Sequence, residues 1–289
     1  MATTSGQSMN RHAAEKLMAP SVVAPPPSPL MIGRLRCDSE GMNQHLTLIT
    51  GASRGLGLAM SRQLLTQSHV VVAIARKPTE LPVPPGGELL SWTLDLAEPL
   101  AAARHLEDWL TKSDATRWAS VTLINNAGVV SQPGPLSGTS GEDLSNALRV
   151  GLEAPVLLTA AFLRATASWA VPRKVLLISS GLGRRAMAGS ASYCAAKAGM
   201  DHLARAVALE EAERPNGARV VSLAPGVIDT DMQVQLRQAD PARFPERERF
   251  VGLKTAGQLD TPEQAASKVL KFLERADFGS NPVADVRDA

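Results

Sequence analysis

From residue 45 onward, short apolar runs alternate with longer segments whose apolar residues recur every three to four positions. His45–Thr50, Val70–Arg76, Leu89–Leu96, Val121–Asn125, Lys174–Ser179 and Arg219–Leu223 read as strands, with Val283–Val286 as a last one. Their near-continuous apolar, β-branched character suits strands buried on both faces. Between them, Leu56–Gln67, Leu100–Leu110, Glu142–Ala167, Ser190–Glu213 and Pro262–Arg275 carry helical spacing. Residues 229–258 are mixed and irregular. Apolar strands alternating with helices imply right-handed crossovers and a parallel sheet with helices on both faces.

Residues 1–44 break this pattern. The run Val23-Ala24-Pro25-Pro26-Pro27-Ser28-Pro29 cannot enter a helix or a central strand. The segment reads as a disordered N-terminal extension ahead of one domain over 45–289. It lacks the uninterrupted apolar stretch of a signal peptide, and a transit peptide would hold more Arg and less acid. Met42, just before the first strand, is an alternative start of translation.

Composition narrows the classes. With 44% hydrophobic and 20% charged residues over 289 positions, the chain has ample core material for one large α/β domain, or at most two small ones. A net charge of +2 with no basic block argues against a nucleic-acid partner. No uncharged apolar run approaches the length of a membrane span. Cys37 and Cys194 are too few and too far apart for a disulfide framework, so a reduced, cytoplasmic setting is expected. The five histidines show no metal-ligand spacing, no metal is expected, and no G-x-S-x-G nucleophile turn occurs.

The chemistry concentrates in two places. The first strand runs into Thr50-Gly51-Ala52-Ser53-Arg54-Gly55-Leu56-Gly57 and then a helix. Glycines there allow a sharp turn and close approach to a pyrophosphate, whose charge the unpaired N–H groups of the helix start can meet. The spacing is G-x-x-x-G-x-G, and no Gly-Lys-Ser/Thr follows as in a P-loop. The second strand ends at Arg76-Lys77, where an acid would bind a ribose 2′-hydroxyl and a cation suits a 2′-phosphate. Arg54 adds a second cation, which favours NADP over NAD. The second place is Tyr193, the chain's single tyrosine, four residues before Lys197. On a helix the two share a face, and a cation beneath a phenol is expected to lower its pKa. On spacing alone, an ordinary surface pair fits equally well.

Taken together these residues resemble the short-chain dehydrogenase/reductase family. The resemblance covers about residues 45–289. It rests on Thr50–Gly57, Asn125-Asn126-Ala127-Gly128, Ser180 thirteen residues before the tyrosine, Tyr193 with Lys197, and Pro225-Gly226 with Thr230 beyond. Gly257 and Thr261-Pro262-Glu263 are similar to the sepiapterin reductase and benzil reductase branch. The resemblance implies a single-domain, Rossmann-type doubly wound α/β fold. It implies a catalytic triad of Ser180, Tyr193 and Lys197. It also implies cofactor contacts from Gly51, Ser53, Arg54, Gly55, Leu56 and Gly57, from Arg76, Asp95 and Leu96, and from Asn126, Ala127 and Gly128. Tyr193, Lys197, Pro225, Gly226, Val227, Ile228 and Thr230 complete that set.

The implied activity is reduction of a ketone, aldehyde or 1,2-dicarbonyl with NADP(H), by a homodimer or homotetramer. Two other readings remain: a non-catalytic NADP-binding sensor or scaffold, and an NAD-dependent alcohol dehydrogenase of the same fold. Gly151 stands where the family usually has an Asn that supports a water relay to the lysine. Asn146, five residues earlier, would point about 140° away on a regular helix. Residues 182–189 and 229–258 flank the catalytic strand, and the second reads as a lid over an apolar pocket, or as a surface excursion that packs on a partner subunit. Arg184 and Arg185 could meet an acidic substrate group or simply be solvated.

Overall fold

Strand alternation decides which helices cover which face of the sheet. The structure, a computed structural model, describes residues 44–288; the extension expected over residues 1–44 lies outside the described residues apart from Gln44. Seven strands, β1 (Gln44–Thr50), β2 (His69–Ala75), β3 (Glu88–Thr93), β4 (Trp118–Asn125), β5 (Arg173–Ile178), β6 (Arg219–Ala224) and β7 (Val283–Asp285), form one sheet in the order β3-β2-β1-β4-β5-β6-β7. Every pairing is parallel. This is the doubly wound α/β architecture expected from the pattern.

Leu46, Leu48, Val70, Val72 and Leu123 point to one face, where they pack with α2 (Pro99–Lys112), α4 (Ala154–Ala165) and α5 (Ala191–Ala212). Ile49, Val71, Ala73, Ile124 and Leu223 point to the other, against α1 (Gly55–Leu64) and α8 (Pro262–Glu274). A period of two along each strand therefore feeds two apolar layers. Between β5 and α5, the guanidinium of Arg173 and the carboxylate of Glu211 form a buried pair at 3.3 Å.

Two elements differ from the sequence expectation. The long helix over 142–167 is three pieces: α3 (Gly141–Leu148), a π-helical turn Arg149–Glu153, and α4. Pro155 explains the widening. It has no N–H to donate to Gly151, four residues back, and its ring would press on that carbonyl in an α-helix. By length and composition alone, Gly141–Ala165 could cross a membrane, at mean hydropathy 1.3, but half of that window is buried inside the protein. Its apolar face is the core face of the sheet layer.

The second difference lies in the segment that reads as irregular. It contains α6 (Asp231–Arg237) and α7 (Arg247–Thr255). Leu236, Phe244 and Phe250 join Met187 in a small separate cluster, with the Phe244 and Phe250 rings stacked at 5.8 Å. The phenylalanines here are packing that folds the segment onto the 182–189 loop.

Candidate active site

All the candidate residues sit at or just beyond the C-terminal ends of the strands, the edge where open α/β sheets bind ligands. Gly51 leaves β1 with φ +69°, and its N–H donates to the Ile74 carbonyl at 2.8 Å, tying the glycine turn to the end of β2. A Cβ at Gly57 would lie 2.2 Å from the Gly51 carbonyl oxygen, so only glycine lets α1 start this close to the turn. Arg54 occupies the N-cap of α1 without a side-chain hydrogen bond to the helix, and the first turn holds no acid. The helix start, with Ser53 and Leu56 beside the glycines, thus keeps donors for an anion.

Asn126 and Ala127 are built onto this turn. Thr50 Oγ1 accepts from the N–H groups of Asn126 (2.9 Å) and Ala127 (3.0 Å), and Asn126 Nδ2 donates to the Thr50 carbonyl at 2.9 Å. Thr50 is the joint between the two motifs, a role the sequence reading did not give it. On the far side, Gly55 faces Thr230, whose Cγ2 lies 3.6 Å from where a Cβ would stand. Pro225 and Gly226 leave β6, and Val227 and Ile228 pair with Asp260, which donates its N–H to the Val227 carbonyl at 2.9 Å. Arg76 is exposed at the end of β2 and makes no ion pair with any described residue, whereas Arg54 pairs with Asp231 at 2.5 Å. Asp95 is exposed after β3, accepting from the Ala97 N–H at 2.9 Å, and Leu96 is buried behind it.

Ser180 lies two residues beyond β5 and caps the 3-10 turn Gly181–Gly183; its Oγ accepts from the Leu182 N–H at 3.1 Å. Tyr193 and Lys197 lie one above the other on α5, with Lys197 Nζ 5.5 Å from the centre of the phenol ring. The ammonium is 4% exposed and donates to the Ile178 carbonyl at 2.7 Å. Gly128 lies beside it, 3.7 Å from Nζ to the position a Cβ would take. The expected lowering of the phenol pKa is not what this site produces. Burial pushes the Tyr193 phenol up to about 12, with a hydrogen bond to Ser180 pulling the other way. Burial also brings Lys197 down to about 8, opposed by the nearby Asp201 carboxylate. At neutral pH the pair is therefore a neutral phenol over a charged ammonium.

The cleft beside Tyr193 is lined by Val130, Ser131, Leu136, Leu144 and Leu236, and holds about 10 Å³, roughly the room of one water. From the connection between α6 and α7, Arg243 donates to the Gly138 carbonyl at 2.7 Å. Gly134 donates its N–H to the Gly189 carbonyl at 3.0 Å, and Phe244 lies against Gly189. The 229–258 segment thus packs on the 134–138 and 182–189 segments, with Leu236 lining the cleft beside Tyr193. Arg184 is engaged within the chain: it lies 3.2 Å from Asp201, 3.9 Å from Asp285, and donates to the Ala284 carbonyl at 2.8 Å. Arg185 is exposed.

Comparison with known proteins agrees with this fold. The profile of the short chain dehydrogenase family matches residues 45–241. The chain belongs to the short-chain dehydrogenase/reductase family. It is 34% identical to a benzil reductase ((S)-benzoin forming) of Bacillus cereus, over 82% of this chain and 96% of that protein. It is 30% identical to the sepiapterin reductase of Meriones unguiculatus, over 87% and 99% of the two chains. Among solved structures, a putative 2-deoxy-d-gluconate 3-dehydrogenase from Agrobacterium tumefaciens with bound NADP superposes with a TM-score of 0.67 at 28% identity, covering 85% of this chain and 96% of that one. As a family member the chain is an oxidoreductase acting on carbonyl or hydroxyl groups, similar to the benzil and sepiapterin reductases.

Gly151, where the sequence resemblance led us to expect an Asn, is buried at the middle of the π-helical turn. A Cβ there would stand 3.2 Å from the Ala196 Cβ, on the residue before Lys197. The space beside Gly151 is therefore partly taken by α5 rather than left open. Asn146 is exposed on α3 and does not stand in for the missing side chain.

Proposed function

We propose that this chain is an NADPH-dependent carbonyl reductase, with Tyr193 as proton donor. The observation that carries the reading is the placement of the pair: the Tyr193 ring lies over the buried Lys197 ammonium, 5.5 Å from Nζ to the ring centre, on the helix that follows Ser180. The residues fit a dinucleotide. The glycine turn and the uncapped start of α1 would hold the pyrophosphate, Asp95 and Leu96 the adenine, and Arg54 and Arg76 a 2′-phosphate. Asn126, Ala127, Gly128 and the stretch Pro225–Ile228 with Thr230 would flank the nicotinamide half. Lys197 would reach its ribose by giving up the Ile178 carbonyl. Bound there, NADPH supplies the hydride.

The chain's own residues supply the rest. As charge develops on the substrate oxygen, the Ser180 hydroxyl donates a hydrogen bond to it and Tyr193 transfers its proton. The Lys197 ammonium, below the ring, stabilises the phenolate left behind. The benzil and sepiapterin reductase relatives favour a ketone or a vicinal dicarbonyl. Exposed Leu148, Val156 and Leu209 on the α3, α4 and α5 helices leave apolar surface suited to a homodimer or homotetramer contact. NADPH oxidation measured against a panel of ketones, aldehydes and diketones tests the proposal. Tight NADPH binding without turnover of any of them would leave a sensor instead.

A further inference from the structure

Asp201 lies one turn beyond Lys197 on α5 and is 2% exposed. Its Oδ1 accepts two hydroxyl hydrogen bonds from different strand ends, Ser179 after β5 at 2.6 Å and Ser222 of β6 at 2.7 Å. Ser179 is the chain neighbour of Ser180. Its Oγ also lies 3.5 Å from the Lys197 carbonyl. Gly183 closes the 3-10 turn against the same helix: a Cβ there would be 2.8 Å from Asp201 Oδ2 and 2.9 Å from the Lys197 carbonyl oxygen. Arg184 Nε stands 3.2 Å from Oδ2. One buried carboxylate thus touches the helix that carries Tyr193 and Lys197, the turn that carries Ser180, and the end of β6 that leads to Pro225-Gly226.

We propose that Asp201 is a positioning residue, which sets the distance between the Ser180 turn and the Tyr193–Lys197 helix and places its carboxylate one helical turn from Lys197. This rests on the reductase reading of the same site. Two physical terms are involved. The first is geometric: a carboxylate with two short charge-assisted hydrogen bonds in a dry setting holds its partners within narrow limits. The second is electrostatic: Asp201 is an anion close to the buried ammonium and favours its charged form. The other groups around this carboxylate and ammonium are Tyr193 and Cys194 on α5, Arg184 from the turn after β5, and Asp285 of β7, which is shared with Arg184 and Arg287. Arg184 opposes part of the Asp201 field, so the two are expected to act on Lys197 with opposite sign.

The test uses the full chain and reads the Lys197 side chain directly, by NMR titration of isotope-labelled lysine, beside kcat and KM for NADPH-driven reduction. Asp201→Asn keeps an acceptor for Ser179 and Ser222 and removes the charge. Its expected result is a Lys197 titration displaced to lower pH by about one unit, the size of a single partly buried charge, with the alkaline limb of kcat moving alike and the NADPH KM within a few-fold. Arg184→Gln is expected to displace the titration the other way. Ser222→Ala is expected to lower kcat while leaving the Lys197 titration in place. A merely structural carboxylate would lower the melting temperature and leave the Lys197 titration unmoved in both charge variants, and that result overturns the proposal. If Asp201→Asn does not fold, Arg184→Gln and Ser222→Ala still decide it. If wild type turns over no carbonyl, the reductase reading fails while the titration still reports on Asp201.

Discussion

Gly151 packs against Ala196: a Cβ on the first would come within 3.2 Å of the Cβ of the second. The contact joins the π-helical turn before α4 to the helix of Tyr193 and Lys197. Gly151→Asn, which installs the residue expected there from the sequence resemblance, forces the two helices apart by a few tenths of an ångström. Overpacking of this kind costs about 1–3 kcal/mol. The expected outcome of differential scanning calorimetry is a lowered melting temperature. The rate of reduction and its pH profile are expected to stay within a few-fold of wild type, because Lys197 Nζ is held by the Ile178 carbonyl and not by this turn. A large gain in rate would mean that the wild-type site lacks a relay it needs.

The pH dependence of reduction follows from Lys197. Its folded-state pKa of about 8 lies below the ordinary 10.5, so the ammonium is charged at pH 7 and neutral by pH 9. The phenol, at about 12, stays protonated throughout that range. kcat/KM is therefore expected to be flat from pH 6 to 7 and to fall above about 8, as the free-enzyme ammonium is lost. The stability sign is the reverse: the unfolded chain binds the extra proton between pH 8 and 10.5, so burying Lys197 destabilises the fold below pH 8 and ceases to do so as pH rises. Stopped assays across pH 6–10 with one carbonyl substrate measure the limb.

Arg76 is exposed at the end of β2 with no described partner. Arg76→Asp replaces a cation suited to a 2′-phosphate with an acceptor suited to a 2′-hydroxyl. The expected result is a fall of about tenfold or more in the NADPH-over-NADH preference, the scale of one charge-assisted contact. Fluorescence titration with both dinucleotides measures it. Arg54, tied to Asp231, is expected to matter less.

Most of the sheet was readable because buried parallel strands are continuous apolar runs; Val70–Arg76 against the observed His69–Ala75 differs by a residue at each end. The π-helical turn was missed although Gly151 and Pro155 were both in view, since periodicity alone does not register a proline's missing donor. α6 and α7 were missed because their apolar residues serve a small cluster with Met187 rather than the main core, so their spacing is sparse. The motif residues of the candidate site were legible as motifs. The direction of the Tyr193 shift was not, because it depends on burial against a hydrogen bond with Ser180, and burial wins. Thr50, Asp201 and Arg243 act through partners distant in sequence, and no local spacing points to those partners.

The Arg173–Glu211 pair belongs to the same hidden class. Arg173 also donates to the Asn216 carbonyl, and Glu211 Oε2 accepts from the Ala218 N–H at 2.8 Å. Glu211→Ala leaves a buried guanidinium without its anion, which costs about 3–5 kcal/mol. Urea unfolding is expected to show the loss, with NADPH affinity in the remaining folded protein little changed.

The most direct measurement compares wild type and Tyr193→Phe for NADPH oxidation with a vicinal diketone, alongside NADPH affinity for each. Removing the proton donor is expected to lower kcat by at least about a hundredfold, within the range for a lost general acid, while the dissociation constant for NADPH changes by less than a few-fold. Equal rates in the two proteins, or tight NADPH binding with no oxidation by wild type, would contradict Tyr193 as the proton donor of a reductase.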